Sequence, residues 1–206
     1  MLLDLVEKWL RRLGGAAVLA FAIAAYAGLL RNRRRSWSQG SGAAPGVQQG
    51  LSTRYLIPAT IPALAVLVWL WRPLPLDLPR PARAVAIGLG SAMYFAGIAL
   101  MLWGRITLGR SYGISSSLGT QLYADHELVT SGPFRYTRNP MYLGGQLAEV
   151  GALLLYRTWT TALIALNVPE LVLRARREAE ALRAEFGPAY DAYAAKVPFW
   201  LPRLGG

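Results

Sequence analysis

The sequence predicts an all-α integral membrane protein with about five transmembrane helices, including a helical hairpin in its C-terminal half. Three observations carry that prediction. Hydrophobic residues make up 54% of the 206 positions and charged residues only 16%, too apolar a balance for an ordinary soluble chain. The apolar residues fall into long separate runs rather than short alternations, the pattern of membrane helices rather than strands. Tryptophans and arginines collect at the ends of those runs, where a headgroup layer accepts both.

Residues 1–12 set Leu2, Leu3, Leu5, Val6, Trp9 and Leu10 among charges, which predicts a short helix lying at an interface. Residues 14–30 predict the first span. That run is followed at once by Arg31, Asn32, Arg33, Arg34 and Arg35 rather than by a small-residue cleavage site, so it reads as an uncleaved anchor. Ala16, Ala20, Ala24 and Gly28 recur every fourth residue; they are either a smooth stripe for a close helix neighbour or part of an Ala-rich helix with no particular partner. Residues 36–54, rich in Gly, Ser and Gln, predict a flexible loop. The second span covers 55–71 and ends in Trp69 and Trp71, after which Pro73, Pro75, Pro79 and Pro81 make a stiff connection. The third span covers 82–104, with Gly88, Ala92 and Ala96 as a second small-residue stripe.

From Arg105 to Asn139 the chain is polar and broken by glycines, too long for a tight turn and too aperiodic for a span, which predicts a structured functional loop. Residues 141–156 and 159–173 are separated only by Arg157 and Thr158 and predict the hairpin. At about 1.5 Å per residue each arm reaches roughly 23 Å, barely a crossing. Residues 174–186 predict a charged helix with Ala175, Ala179, Leu182 and Phe186 along one side, stopped by Gly187 and Pro188. The chain therefore divides into an N-terminal membrane region, 1–104, and a C-terminal core, 105–206.

Composition also excludes. Without cysteine there are no disulfides or thiolate metal sites, and with His126 the single histidine no metal centre is expected. The formal charge of +11 suits anionic lipid headgroups, so membrane lipids rather than nucleic acid are the expected partners. Of 22 basic residues, 15 lie in the first loop, the long loop and the tail. The positive-inside rule then puts those segments in the cytoplasm and the N-terminus outside. Arginine in place of almost all lysine, with much Ala, Gly and Leu, suggests a bacterial source and an inner membrane.

Chemistry concentrates in residues 127–145, ELVTSGPFRYTRNPMYLGG, where a loop carrying Arg135 and Arg138 runs into an apolar helix that Pro140 can start. This block, with REAEALRAEFGPAYDAYAAKVPFWLP downstream, resembles the isoprenylcysteine carboxyl methyltransferase and phospholipid methyltransferase superfamily, integral membrane enzymes that use S-adenosyl-L-methionine. The resemblance covers roughly residues 105–202, and the two blocks at their spacing are more specific than either alone. The family pattern reads Arg-His-Pro where this chain has Arg138, Asn139 and Pro140, and Glu-Glu where it has Glu178 and Ala179.

The resemblance implies a cofactor site on Leu128, Val129, Gly132, Tyr136, Arg138, Asn139, Pro140, Tyr142, Leu143, Glu178 and Tyr190, with Glu178 and Arg174 as the catalytic candidates. It also implies a cytoplasmic cofactor-binding loop and tail helix. Read from the residues alone, Arg138 and Tyr142 either bracket a polar ligand across the helix start or sit as interfacial anchors. Glu178, four residues after Arg174, is either a solvated ion pair or a group at the reactive centre. Glu149 in the apolar hairpin, with Gln146 and Asn167, either contacts another helix or lines a substrate channel. His126 reads as a loop surface residue. Tyr190 and Tyr193 with the segment 197–202 either rest on the membrane or fold back as a lid over the cofactor.

The expected function is thus methyl transfer to a lipophilic acceptor: an isoprenylcysteine-like carboxylate, a lipid amine or a small thiol. The alternative is a non-enzymatic membrane protein, a degenerate relative or transporter-like scaffold, which the two departures from the family pattern favour. No obligate protein partner is indicated.

Overall fold

A computed structural model describes residues 1–32, 62–112, 115–116, 119–120 and 127–201. The architecture is all-helical: α1 (Leu2–Asn32), α2 (Arg80–Leu108), α3 (Pro140–Tyr156), α4 (Trp159–Ala165), α5 (Val168–Phe186) and α6 (Pro188–Lys196). Residues 62–69 are also helical, and the only sheet among the described residues is a two-residue antiparallel ladder, Ser115–Ser116 against Gly119–Thr120. The loop over 36–54, His126 and the first seven residues (55–61) of the second expected span lie outside the described residues.

Against expectation, α1 is one continuous helix of 31 residues, not an interfacial helix followed by a separate span. The glycines at 14 and 15 cost helix propensity, about 1 kcal/mol each, but Gly14 is where α1 meets the bundle. The Tyr94 hydroxyl donates to its carbonyl at 2.9 Å, and a Cβ there would strike the Tyr156 hydroxyl. The packed side of α1 carries Leu3, Glu7, Leu10, Gly14 and Ala17, alternating steps of four and three. The stripe Ala16, Ala20 and Ala24 is exposed. A step of four drifts around the helix, whereas the mean step of 3.5 keeps one side turned to the neighbour.

The centre of the fold is the pair α2 and α3. They meet along Gly90 and Gly97 on one helix and Gly144 and Gly151 on the other, each pair seven residues apart. A Cβ on Gly97 would collide with the Gly144 carbonyl, and one on Gly151 would lie 2.7 Å from the Gly90 carbonyl, so only glycine permits this approach. The expected stripe Gly88, Ala92 and Ala96 is not this seam: Gly88 faces open space and both alanines point away from the bundle or only graze it. Ile87, Tyr94 and Ile98 of α2 and Leu155 of α3 form the buried core against which Leu3, Leu10 and Ala17 pack.

The hairpin's return arm is also corrected. It breaks at residues 166–167 into α4 and α5, because Pro169 lacks an N–H and its ring would clash with the carbonyl four residues back. Thr158 and Thr161 form a capping box that starts α4, each hydroxyl accepting the other's backbone N–H at 3.1 and 3.2 Å. The helix at 62–69 is fastened to this turn by Thr160, whose hydroxyl donates to the Leu67 carbonyl at 2.6 Å. The apolar half of α5 then continues without interruption into the charged helix expected over 174–186. Among the described residues one helix, α2, is by itself long and apolar enough to cross a membrane; α3 has 17 residues and α4 has 7.

At the end of the bundle where α1 and α2 begin, Glu7 is only 4% exposed and gathers three arginines. Arg83 donates to it at 2.6 and 2.9 Å, Arg11 pairs with it from one turn on, and Arg157 pairs with it from the α3–α4 corner. Arg11 also donates to the carbonyls of Leu155 and Tyr156 at 3.1 Å each. The N-terminal ends of α1 and α2 and the C-terminal end of α3 are thereby tied into one network.

Candidate functional site

At the opposite end, a cavity of about 330 Å³ opens between α3 and α5, with walls from α1, α2 and the loop before α3. Its shape follows from helix periodicity. Arg138, Tyr142, Gly145 and Glu149 succeed one another by four, three and four along one side of α3 and its N-terminal approach, and Leu171, Arg174, Glu178 and Leu182 by three, four and four on α5. Gly145 faces Leu171 across the gap, where a Cβ would make only ordinary contact at 3.5 Å with the leucine methyl. Leu128 and Val129 close one edge.

The approach to α3 is fixed by the tail. The Arg138 backbone N–H donates to the Pro198 carbonyl at 2.9 Å, the Thr137 hydroxyl donates to the Trp200 carbonyl at 2.6 Å, and the Asn139 amide donates to the Phe199 carbonyl at 2.8 Å. Further along α3, the Trp200 indole N–H donates to the Gln146 side chain at 3.0 Å. The segment 197–200 thus lies as an extra strand-like strap beside residues 137–139. Pro140 occupies the first turn of α3, where its missing N–H costs nothing. Asn139 lines the cavity, yet its amide is committed to the strap rather than to capping the helix.

Over the mouth, α6 folds back because Gly187 turns the chain at φ 49°. Tyr190 becomes 2% exposed, its hydroxyl accepting from Arg138 at 3.4 Å, and Tyr193 donates to the Phe134 carbonyl at 2.7 Å. Burial pushes the Tyr193 phenol up, with the neighbouring Tyr190 adding to the shift and Arg138 opposing it. The Arg138 guanidinium lies over the Phe199 ring, 5.3 Å from its centroid, and its Nε is buried without a hydrogen-bond acceptor.

Glu178 does not pair with Arg174, as its spacing had left open. Arg174 Nε bonds Glu170 at 3.0 Å one turn earlier, while the Glu178 carboxylate accepts from the Tyr142 hydroxyl across the cavity. Glu178 lines the cavity, and burial pushes its pKa above the ordinary glutamate range, the Tyr142 hydrogen bond pulling the other way.

The cavity brings together nine of the sequence-predicted residues: Leu128, Val129, Arg138, Asn139, Pro140, Tyr142, Arg174, Glu178 and Tyr190. Three others lie off its wall. Gly132, with φ 59°, is needed for packing: a Cβ would sit 2.6 Å from the Thr107 hydroxyl of α2. Tyr136 is 45% exposed, stacked under Arg135 and near Trp103. Leu143 is turned away along α3. Sequence reading missed Phe21 of α1, Met101 and Leu108 of α2, and Ser111 and Tyr112 just beyond it, all of which line the cavity. None sits in a motif; each reaches the site only because its helix packs there. Among the described residues no cluster of acidic or histidine side chains is suited to hold a metal ion.

A family model described as phospholipid methyltransferase matches residues 85–189, just over half of the chain, from the first turns of α2 to the start of α6. No curated protein matches the chain.

Proposed function

The chain belongs to the phospholipid methyltransferase family, a family of membrane methyltransferases, and on that premise we propose that it transfers a methyl group from S-adenosyl-L-methionine to a lipophilic acceptor in the cavity between α3 and α5. The observation that supports this reading best is the pairing of unlike groups at the cavity mouth. Arg138 offers a buried N–H that lacks an acceptor, and Glu178 offers a desolvated carboxylate on the facing wall.

That donor set fits a zwitterionic, cationic cofactor. Arg138 would hold its carboxylate; Glu178, braced by Tyr142, would face its positive charge. Bound there, the cofactor supplies an activated methyl on a sulfonium. The protein's share is alignment and exclusion of water, and orientation alone is worth about 7 to 11 kcal/mol of barrier. The rings of Tyr190 and Tyr193 close the cavity on the α6 side. Phe21 of α1 and Met101 and Leu108 of α2 give the acceptor an apolar approach from the bilayer side.

In this reading the chain crosses the membrane about five times, with the site end in the cytoplasm of a bacterial inner membrane. The test is titration calorimetry of the full chain in detergent with S-adenosylhomocysteine, followed by mass spectrometry of lipids and lipophiles after incubation with isotopically labelled methyl donor. Saturable binding and a labelled lipophile are expected. No binding by the full chain would overturn the reading in favour of a non-enzymatic membrane protein.

A further inference from the structure

Arg138 is placed in the cavity wall largely by residues that lie outside that wall. Its backbone N–H donates to the Pro198 carbonyl at 2.9 Å, and its guanidinium lies 5.3 Å from the centroid of the Phe199 ring. Both contacts belong to the strap 197–200, no residue of which lines the cavity. A third hold is the Tyr190 hydroxyl of α6, at 3.4 Å. An arginine has many rotamers, and a ligand that must itself order the side chain binds more weakly than one that finds it ordered. The strap does that ordering before any ligand arrives.

The strap is in turn held at residue 137. Thr137 is buried, and its hydroxyl donates to the Trp200 carbonyl at 2.6 Å, with the Phe199 carbonyl 3.5 Å away, while accepting the Asn139 backbone N–H at 3.3 Å. A buried hydroxyl costs free energy unless it is bonded, and a valine of nearly the same shape would fill this place without that cost. What valine lacks is a donor to tie the strap to the backbone on either side of Arg138. Asn139 doubles the tie, its amide donating to the Phe199 carbonyl at 2.8 Å, but Asn139 lines the cavity and Thr137 does not. Thr137 can therefore act on a ligand only through its neighbours.

Resting on the reading that Arg138 holds the carboxylate of the methyl donor, we propose that Thr137 is a positioning residue of the donor site: its hydroxyl fastens the strap, and the strap fixes the Arg138 guanidinium at the cavity. The role needs a hydroxyl donor at position 137 and an aromatic ring at position 199, neither of which touches the ligand.

The test is calorimetric titration of the full chain with S-adenosylhomocysteine in one detergent, for wild type, Thr137→Val, Thr137→Ser, Arg138→Ala and the combination of Thr137→Val with Arg138→Ala. Thr137→Val should weaken binding about 3- to 10-fold, the effect of leaving one long side chain for the ligand to order. Thr137→Ser, which keeps the hydroxyl, should bind within about twofold of wild type. In the Arg138→Ala background, Thr137→Val should change affinity by no more than about twofold, because both substitutions remove the same contact. Phe199→Leu, which takes away the ring beneath the guanidinium, should follow the pattern of Thr137→Val in both backgrounds and serves if Thr137→Val does not fold. Equal loss with and without Arg138, or no rescue by serine, would overturn the proposal, since the hydroxyl would then support the fold at large. Wild type that does not bind S-adenosylhomocysteine overturns the cofactor reading and this proposal with it, whereas normal wild-type binding that Thr137→Val leaves unchanged overturns the role of Thr137 alone.

Discussion

The two ends of the helix bundle handle buried charge in opposite ways. At the end of Glu7, one carboxylate is saturated by Arg11, Arg83 and Arg157, and the arginines are further satisfied by backbone carbonyls and by Asp4. At the cavity end, Arg138 and Glu149 each keep a buried atom without a partner, and Glu178 faces a tyrosine rather than a cation. Saturated charges pin helices together and leave nothing to bind. Unsaturated ones cost stability and are kept where a ligand can complete them.

The largest effect expected is at the saturated end. Glu7→Ala leaves three arginines without their common partner and should destabilise the fold by about 3 kcal/mol, the low end for breaking a buried ion pair, because Arg11 and Arg83 are more than one third exposed and water compensates them. Thermal unfolding in detergent measures it. If Glu7→Ala melts with wild type, the contrast between the ends is lost.

A substitution in the seam should cost slightly less. Gly151→Val would push α2 and α3 apart against the Gly90 carbonyl and the Tyr94 backbone, at about 1 to 3 kcal/mol for an overpacked contact. Gly88→Val, which faces open space, should be nearly neutral in the same melt. Equal loss in both would mean that the seam has been assigned to the wrong glycines.

At the unsaturated end the effect moves from stability to binding. Arg138→Ala should weaken S-adenosylhomocysteine by about 1.5 to 3 kcal/mol, the range for a lost hydrogen bond to a charged group, while the melting temperature changes little. Calorimetry and melting on the same preparation check both halves. Unaltered affinity would remove Arg138 from the site.

The smallest effect is a pH dependence. The folded pKa of Glu178 is raised by burial, so the folded state holds its proton to higher pH than the unfolded state does. Its contribution is full below the ordinary glutamate pKa and is lost as pH rises from there through the raised value. Glu178→Gln, which cannot ionise, should lack that loss. The difference in melting temperature between variant and wild type should therefore grow in the variant's favour as pH rises across that window. A constant difference would show that Glu178 is not desolvated when folded.

Much of the site was legible because its signals are local. Arg138, Pro140 and Tyr142 lie within one turn of a helix start, and Gly187 with Pro188 marks the reversal that brings α6 back. Gly132 could be read as a site residue only because a glycine needed for positive φ and one needed for a ligand look alike in sequence; its φ of 59° against Thr107 decides between them. Asn139, expected at the cofactor site, does line the cavity, but the carbonyl that takes its side-chain amide belongs to Phe199, sixty residues on, which no local pattern could show.

By itself the sequence determined the helical class, the apolar runs, the helix starts and stops, and the two blocks that carry the family resemblance, because each depends on residues within a few turns of one another. Tertiary structure alone decided which small residues form the seam. Stripes with a four-residue step and pairs with a seven-residue step are equally visible in α1 and α2, and only the neighbour's backbone distinguishes them. It decided also that Arg174 serves Glu170 while Glu178 turns to Tyr142, since on one helix i−4 and i+4 partners are equivalent until another helix offers a donor. Phe21 and Met101 became cavity walls for the same reason: a side chain's surroundings are set by what packs against it, which no local pattern specifies.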